Sequence, residues 1–356
     1  MDNILDLLRL AKASNASDLH LVVASPPMLR INGSLEFVNG MPPLSPEDIS
    51  EAFAQLTTPE QWDEFRRTLE LDFAYTLPGV GRLRCNVAQQ RGALSFAIRL
   101  LPPQIPTLAE LELPRICDDL ALRPRGLVIV SGPTGSGKTT TLAAMIHHIN
   151  ANRACHVVTI EDPIEYSHPS LKSAITQREL GNDTLSFPQA LKHVLRQDPD
   201  VILVGEMRDL ETAAAVLNVA ETGHLVLTTG HAPSAHQCME RVIDLFPPEQ
   251  RYLAQTRLAS LIVGVICQTL VPRADGSGRI AAVEIMLGSP AVRNLIRESK
   301  IYQLPNVIRT STQEGMESLD QSLASLYLKG TITGESLVRV CNDKEEMDKL
   351  IGKVRV

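Results

Sequence analysis

The chain has 356 residues, enough for two domains of ordinary size, and its 44% apolar and 21% charged residues are typical of a globular protein. A net charge of −7 argues against a bulk basic surface, so nucleic acid is not an expected partner. The six cysteines occur singly and form no C-x-x-C pair, which gives no support to a zinc or redox motif.

The N-terminus is not typical of a signal peptide, because no basic region precedes an apolar core. The longest apolar run extends from Leu261 to Val271 and is interrupted by Gln268. It is shorter than a membrane-spanning helix requires, so we expect the chain to have no transmembrane segment of its own.

The first seventy residues combine helix and strand patterns. An amphipathic helix is expected first, then two short strands and an Asn32-Gly33 hairpin turn. Two helices follow, with hydroxyl N-caps at Ser45 and Thr58, a proline at the first helical position and an acceptor at the third. We expect Leu69 on the inward face of the second of these helices.

Residues 71–101 alternate between apolar and polar side chains as three strands of a β-meander. The first hundred residues are therefore predicted to form a small α+β domain with an antiparallel sheet. Four arginines lie on the meander. They can form a solvated basic edge that hinders aggregation, or they can supply positive charge to a phosphate, and the residues alone do not choose between these. The four are Arg82, Arg84, Arg91 and Arg99.

A proline-rich extended link, Leu101 to Pro106, separates this domain from a region where apolar strands alternate with helices, the pattern of a parallel α/β sheet. Residues 132–139 read G-x-x-x-x-G-K-T, between an apolar strand at 127–130 and a helical pattern. This context predicts a phosphate-binding loop that binds a nucleoside triphosphate. The expected nucleotide-binding residues are Gly132, Pro133, Thr134, Gly135, Ser136, Gly137, Lys138, Thr139 and Thr140.

Within this loop, Lys138 can neutralise the β- and γ-phosphates and Thr139 can offer its hydroxyl to Mg²⁺. The next core strand ends at Glu161 and Asp162, at the edge of the sheet where open α/β folds place their ligands. These carboxylates can hold Mg²⁺ waters or polarise an attacking water. The alternative is an ordinary acidic loop.

A further buried strand at 201–204 is followed by Gly205 and Glu206, which is similar to a Walker B element. Gly205 stands where the usual metal-directing aspartate would be. Glu206 is the expected general base or water-orienting carboxylate. His231 follows the next strand and can donate a hydrogen bond to the γ-phosphate, whereas His224, before that strand, is expected to be a turn residue.

These segments resemble the secretion ATPases and, among them, the retraction ATPases of type IV pili. The matching strings are 16–21, 132–141, 159–165, 198–210, 220–226 with His231, and 291–298. The last reads A-V-R-N-L-I-R-E, close to the family's retraction signature A-I-R-N-L-I-R-E. One departure lies at 228–234, where T-T-G-H-A-P-S replaces the more usual G-T-L-H-T-x-S.

The resemblance implies an α/β fold in which a PAS-like α+β domain precedes a RecA-like P-loop ATPase domain with C-terminal helices. The corresponding domains are 1–100, a linker over 101–114, the ATPase domain over 115–290, and a C-terminal helical region over 291–356. It also implies that the small domain supplies arginines to the nucleotide, with Arg84 and Arg99 as first choices. Thr139, Glu161 and Asp162 would then serve Mg²⁺.

By the same resemblance, the chain is expected to be a homo-hexameric, Mg²⁺-dependent ATPase that powers pilus retraction. Its expected partner is the pilus platform protein of the inner membrane, and its expected location is the cytoplasm, peripheral to that membrane at the pilus base. The alternatives are an extension or type II secretion ATPase, an accessory ring subunit that scarcely hydrolyses ATP, and a P-loop small-molecule kinase.

Overall fold

The computed structural model describes residues 3–31, 33–101 and 104–352. The chain divides into two compact units. The first comprises Met1–Gln104 together with Glu165–Ser167, and the second comprises Ile105–Ile164 and His168–Val356.

The first unit is an α+β domain with an antiparallel sheet of strand order β3-β2-β1-β6-β5-β4. Asn32 of the expected hairpin turn lies outside the described residues, and Ile31 and Ser34 on either side of that turn are paired. The elements are α1 (Ile4–Ala13), β1 (Asp18–Val22), β2 (Met28–Ile31), β3 (Ser34–Phe37), α2 (Pro46–Leu56), α3 (Pro59–Thr68), β4 (Glu70–Leu77), β5 (Gly81–Gln90) and β6 (Ala93–Leu100).

The core of this unit is built around Phe53 of α2, whose ring centroid lies 4.5–6.2 Å from four other aromatic rings. The expected capping boxes are present at Ser45 and Thr58. The expectation for Leu69 is wrong, because its side chain is 51% exposed. Leu69 has a φ of 64° and ends α3 in a left-handed conformation, which turns it away from the helix's inward face.

The second unit is an α/β domain with strand order β13-β12-β7-β11-β10-β8-β9. All neighbouring strands are parallel except β13, which is antiparallel to β12. Its strands are β7 (Gly126–Ser131), β8 (His156–Glu161), β9 (Ala174–Glu179), β10 (Val201–Val204), β11 (Leu225–Thr229), β12 (Ile262–Pro272) and β13 (Arg279–Leu287). Its helices are α4 (Ile116–Ala121), α5 (Lys138–Asn152), α6 (Phe187–Val194), α7 (Leu210–Glu221), α8 (Ala235–Asp244), α9 (Pro248–Leu261), α10 (Pro290–Arg297), α11 (Leu304–Thr310), α12 (Leu319–Leu328), α13 (Gly334–Val340) and α14 (Lys344–Ile351).

The central strands of this sheet are buried on both faces, which explains their continuous apolar sequences. Alternate residues of β7 show this directly. Leu127 and Ile129 join a core with α6 to α11, whereas Val128 and Val130 join a core with α4 and α5. Because β7, β8, β10 and β11 are parallel, their carboxyl ends lie at one edge of the sheet.

Helices α12 to α14 bury a smaller core against β12 and β13, which includes Val271, Ile280 and Leu323. In the part of the chain that the structure describes, no helix is both long enough and apolar enough to cross a lipid bilayer.

Candidate functional site

The glycine-rich loop connects β7 to α5, at the carboxyl edge of the sheet. Lys138 is the first residue of α5, and its Nζ donates to the carbonyl oxygens of Gly132 (2.8 Å) and Pro133 (2.9 Å). Burial lowers the pKa of Lys138, while the carboxylate of Glu206 acts in the opposite direction. The amine is thus a partly desolvated cation, for which a phosphate oxygen would be a stronger acceptor than a neutral carbonyl.

Glu206 follows β10 and is mostly buried, with 15% of its side chain exposed. Its Oε2 accepts from Nε of Arg208 at 2.6 Å, and Nε2 of His231 lies 3.4 Å from the same oxygen. The structure therefore brings together Glu206 and His231, which the sequence places 25 residues apart. Arg208 belongs to the same group and was missed in the sequence, although it lies only two residues after Glu206.

Glu161 ends β8, and its Oε1 accepts from the Thr159 hydroxyl (2.6 Å) and the Gln177 amide (3.1 Å). The residue is 9% exposed, and these two donors hold its carboxylate in one orientation. Asp162, the next residue, is exposed. Gln177 was missed because it lies on β9, whose pairing with β8 is not evident in the sequence. Thr159 was also missed, although it lies only two residues before Glu161 on the same strand.

The described residues contain no group of three or more His, Cys, Asp or Glu side chains that could hold a metal ion. The magnesium of a nucleotide site keeps several waters and is bound through phosphates and one or two protein oxygens. The oxygens available here are the Thr139 hydroxyl in the first turn of α5 and the carboxylates of Glu161 and Asp162.

Gly205, at the position of the usual metal-directing aspartate, is held by its backbone. Its N–H donates to the carbonyl of Ile160 (2.8 Å), and its carbonyl accepts from the Thr229 hydroxyl (2.6 Å). A Cβ at Gly205 would meet no atom closer than 3.4 Å. The glycine is therefore not required by crowding, and its main effect is to leave the position without a carboxylate.

Hydrogen bonds from other strands hold the segment that carries His231. The Ser131 hydroxyl donates to the carbonyl of Ala232 (2.7 Å), and a Cβ at Gly230 would lie 2.9 Å from that hydroxyl oxygen. Gly230, part of the departure from the family string, thus fits a narrow space beside β7. At the other end, N–H of Ala235 donates to the buried carboxylate of Glu284 on β13 (2.6 Å).

Glu284 therefore caps the first turn of α8. Ser234 occupies the N-cap position of α8 but makes no capping hydrogen bond. His224, at the other end of β11, lies 2.9 Å from the Thr222 hydroxyl through Nδ1, as expected of a turn residue.

In the first unit, Arg84 and Arg99 are directly opposite each other on β5 and β6. Nε of Arg99 donates to Oδ1 of Asp18 at 2.8 Å, so this guanidinium is already engaged. Arg84 is exposed, and it has no hydrogen-bonding or ion-pair partner among the described residues. Of the two, Arg84 is the side chain whose charge is available to a ligand.

The A-V-R-N-L-I-R-E string forms helix α10 and the residue after it, Glu298. Val292 and Ile296 are buried, as expected for an amphipathic helix. Arg293 does not point to solvent, because it donates to the backbone carbonyls of Gly288 (2.8 Å) and Ile262 (3.2 Å). The exposed polar residues of the string are therefore Asn294, Arg297 and Glu298.

Comparison with known proteins agrees with this architecture. A family model described as Type II/IV secretion system protein matches residues 110–327. The type IV pilus retraction ATPase PilT of Pseudomonas aeruginosa is 44% identical over 334 residues, which cover 94% of this chain and 96% of that protein. The twitching motility protein of Neisseria gonorrhoeae is 43% identical over 345 residues, which cover 97% of this chain and 92% of that protein.

Among solved structures, the pilus retraction motor PilT with bound ADP matches with a TM-score of 0.92 at 41% identity, covering 98% of this chain and 100% of that one. This match confirms the predicted fold, a PAS-like α+β domain followed by a RecA-like P-loop ATPase domain with C-terminal helices. The site has the same elements, a phosphate loop with a glutamate and a histidine at one sheet edge. From these matches, the chain belongs to the type II/IV secretion system protein family and, within it, to the ATPases of type IV pilus retraction.

Proposed function

We propose that this chain hydrolyses ATP to power retraction of type IV pili, as a homo-hexamer that acts on the platform protein of the inner membrane. The observation that carries the proposal is the convergence of Lys138, Glu206 and His231 at one sheet edge, in a chain that matches retraction ATPases over nearly its whole length. We place it in the cytoplasm, peripheral to the inner membrane at the pilus base.

ATP would bind with its phosphates in the loop over 132–140, where backbone N–H groups and the N-terminus of α5 favour an anion. Lys138 would exchange its two carbonyl acceptors for the β- and γ-phosphates. Mg²⁺ would neutralise developing charge on the phosphates, with Thr139, Glu161 and Asp162 as the protein oxygens nearest to its hydration shell.

Glu206 would position the attacking water, since its carboxylate is mostly buried and is oriented by Arg208 and His231. Nε2 of His231 lies near the same Glu206 oxygen that Arg208 contacts. When ATP binds, His231 would exchange this contact with Glu206 for a hydrogen bond to the γ-phosphate. Catalysis of this kind depends on positioning and charge neutralisation more than on covalent chemistry.

Arg84 would supply positive charge to the phosphates in the assembled ring. Arg99 is the next candidate for this role, followed by Arg82 and Arg91. Its exposure and its place opposite Arg99 support this role, because an anion would relieve repulsion between two like charges on adjacent strands. For the domains, we propose residues 1–100, a linker over 101–114, an ATPase domain over 115–290 and a C-terminal helical region over 291–356.

Steady-state ATP hydrolysis by the full chain, beside Glu206→Gln, tests the proposed function. Light scattering after size exclusion should give a hexamer for both proteins. We expect Glu206→Gln to bind ATP with wild-type affinity and to lose at least about 100-fold in kcat, because the change removes the carboxylate and preserves its shape. A wild-type hexamer that hydrolyses ATP no faster than Glu206→Gln would instead be an accessory ring subunit.

A further inference from the structure

The phosphate loop rests on a buried amide that comes from a distant strand. Gln268, on β12, is 2% exposed and lies one residue beyond the pair formed by Cys267 and Ser131. Its side chain extends beneath the loop. Nε2 donates to the carbonyl of Ser136 (2.6 Å), and Oε1 accepts from the hydroxyl of Thr141 (2.9 Å).

Both hydrogen bonds have a defined direction. The Ser136 carbonyl can only accept, so it must face the amide NH₂, and the amide oxygen is then left for the Thr141 hydroxyl. With both groups satisfied, the amide joins the middle of the loop to the first turn of α5. Two glycines fit closely around the same residue. A Cβ at Gly132 would lie 2.3 Å from the Gln268 carbonyl oxygen, and one at Gly137 would lie 3.1 Å from Nε2.

The bond to Ser136 determines where a neighbouring donor points. In a trans peptide, the carbonyl of one residue and the N–H of the next point in opposite directions. By holding the Ser136 carbonyl, Gln268 turns the N–H of Gly137 away from itself and out of the protein core. P-loops bind the α- and β-phosphates through N–H groups of this kind.

We propose that Gln268 is a positioning residue for nucleotide binding, which orients the Gly137 N–H through the Ser136 carbonyl. This inference rests on the proposed function in that it concerns the same phosphate loop. It deepens that function by assigning the rigidity of the loop to a side chain 132 residues away in the sequence. Gln268 does not itself touch the nucleotide.

The test compares Gln268→Met with Thr141→Val in the full chain. Methionine preserves the length of the side chain but can neither donate to Ser136 nor accept from Thr141. Valine removes only the Thr141 hydroxyl and leaves the Ser136 bond in place. Affinity is measured with mant-ADP and Mg²⁺, kinetics with ATP, and folding by the midpoint of thermal unfolding.

We expect Gln268→Met to raise the Kd for mant-ADP and the KM for ATP about 10-fold, with kcat within about 3-fold of wild type. The α- and β-phosphates are bound equally in the ground and transition states, so a misplaced donor raises KM more than it lowers kcat. Thr141→Val should change Kd and KM less than about 3-fold. Equal effects of the two variants, or a lower unfolding midpoint with unchanged Kd and KM, would overturn the proposal.

If Gln268→Met does not yield folded protein, Gln268→Leu decides. Leucine is a smaller apolar side chain that leaves the Ser136 carbonyl without its donor, so the Kd for mant-ADP should again rise about 10-fold or more. An unchanged Kd would overturn the proposal. If the wild type binds mant-ADP without hydrolysing ATP, the proposed function fails, whereas the ratio of mant-ADP affinities still decides the role of Gln268.

Discussion

The arginines of the first unit differ in whether their side chains are already paired with a carboxylate. Arg99 is bound to Asp18, whose side chain is only 11% exposed, so its guanidinium serves the stability of the first unit. Arg84 faces Arg99 from the next strand and has no such partner in the described part of the chain. Because like charges directly opposite each other on a sheet are destabilising, the position of Arg84 beside Arg99 carries a small cost in stability.

We therefore expect Arg84→Gln to lower kcat for ATP hydrolysis at least about 100-fold, since an arginine on the transferred phosphoryl group acts mainly in the transition state. The affinity for mant-ADP and the unfolding midpoint should stay near the wild-type values. Arg67→Gln, at an exposed arginine on α3, is the matched control and should retain most activity. If both variants lose activity equally, Arg84 has no special part in the reaction.

At the scale of elements, the first turn of α8 matters because His231, for which we propose a contact with the γ-phosphate, lies four positions before Ala235. Ser131 holds the start of the His231 segment, and Glu284 holds its end through the N–H of Ala235. Burial raises the pKa of Glu284, yet its carboxylate still provides the acceptor that Ser234 does not. The position of His231 thus depends on a carboxylate from another strand.

We expect Glu284→Ala to lower the free energy of unfolding by about 1–3 kcal/mol, because it leaves the buried N–H of Ala235 without an acceptor. Glu284→Gln retains an acceptor oxygen and should cost less than about 1 kcal/mol. Ser234→Ala should cost less than about 0.5 kcal/mol, although a serine at an N-cap ordinarily contributes more. Chemical denaturation of the three variants measures these differences, and a larger loss for Ser234→Ala than for Glu284→Ala would contradict the assignment.

At the scale of the whole molecule, local patterns in the sequence predicted most of the fold. The phosphate loop, the parallel strands and the capped helices at Ser45 and Thr58 each depend on residues close together in the chain. Leu69 was wrongly placed because helical spacing does not show where α3 ends. In the sequence, Gln268 is distinguished only as a polar residue within an apolar run, since its partner, Ser136, is 132 residues away.

The stability of the second unit should also depend on pH through His168. Burial lowers the pKa of His168 to about 4, with a smaller contribution from His147, and Nδ1 of His168 is buried without a partner among the described residues. In the unfolded chain the same group titrates near 6.5. Between these values the unfolded state binds more protons than the folded state, so stability falls as the pH falls from 6.5 toward 4.

We expect the free energy of unfolding of the wild type to be about 2 kcal/mol lower at pH 5 than at pH 7 because of His168. In His168→Gln most of this decrease should be absent. The measurement is the free energy of unfolding in denaturant at both pH values, and the quantity compared is the difference between them. His193→Gln, at an exposed histidine on α6, is the matched control. An equal loss of stability in the wild type and His168→Gln would show that protonation of other groups governs unfolding in acid.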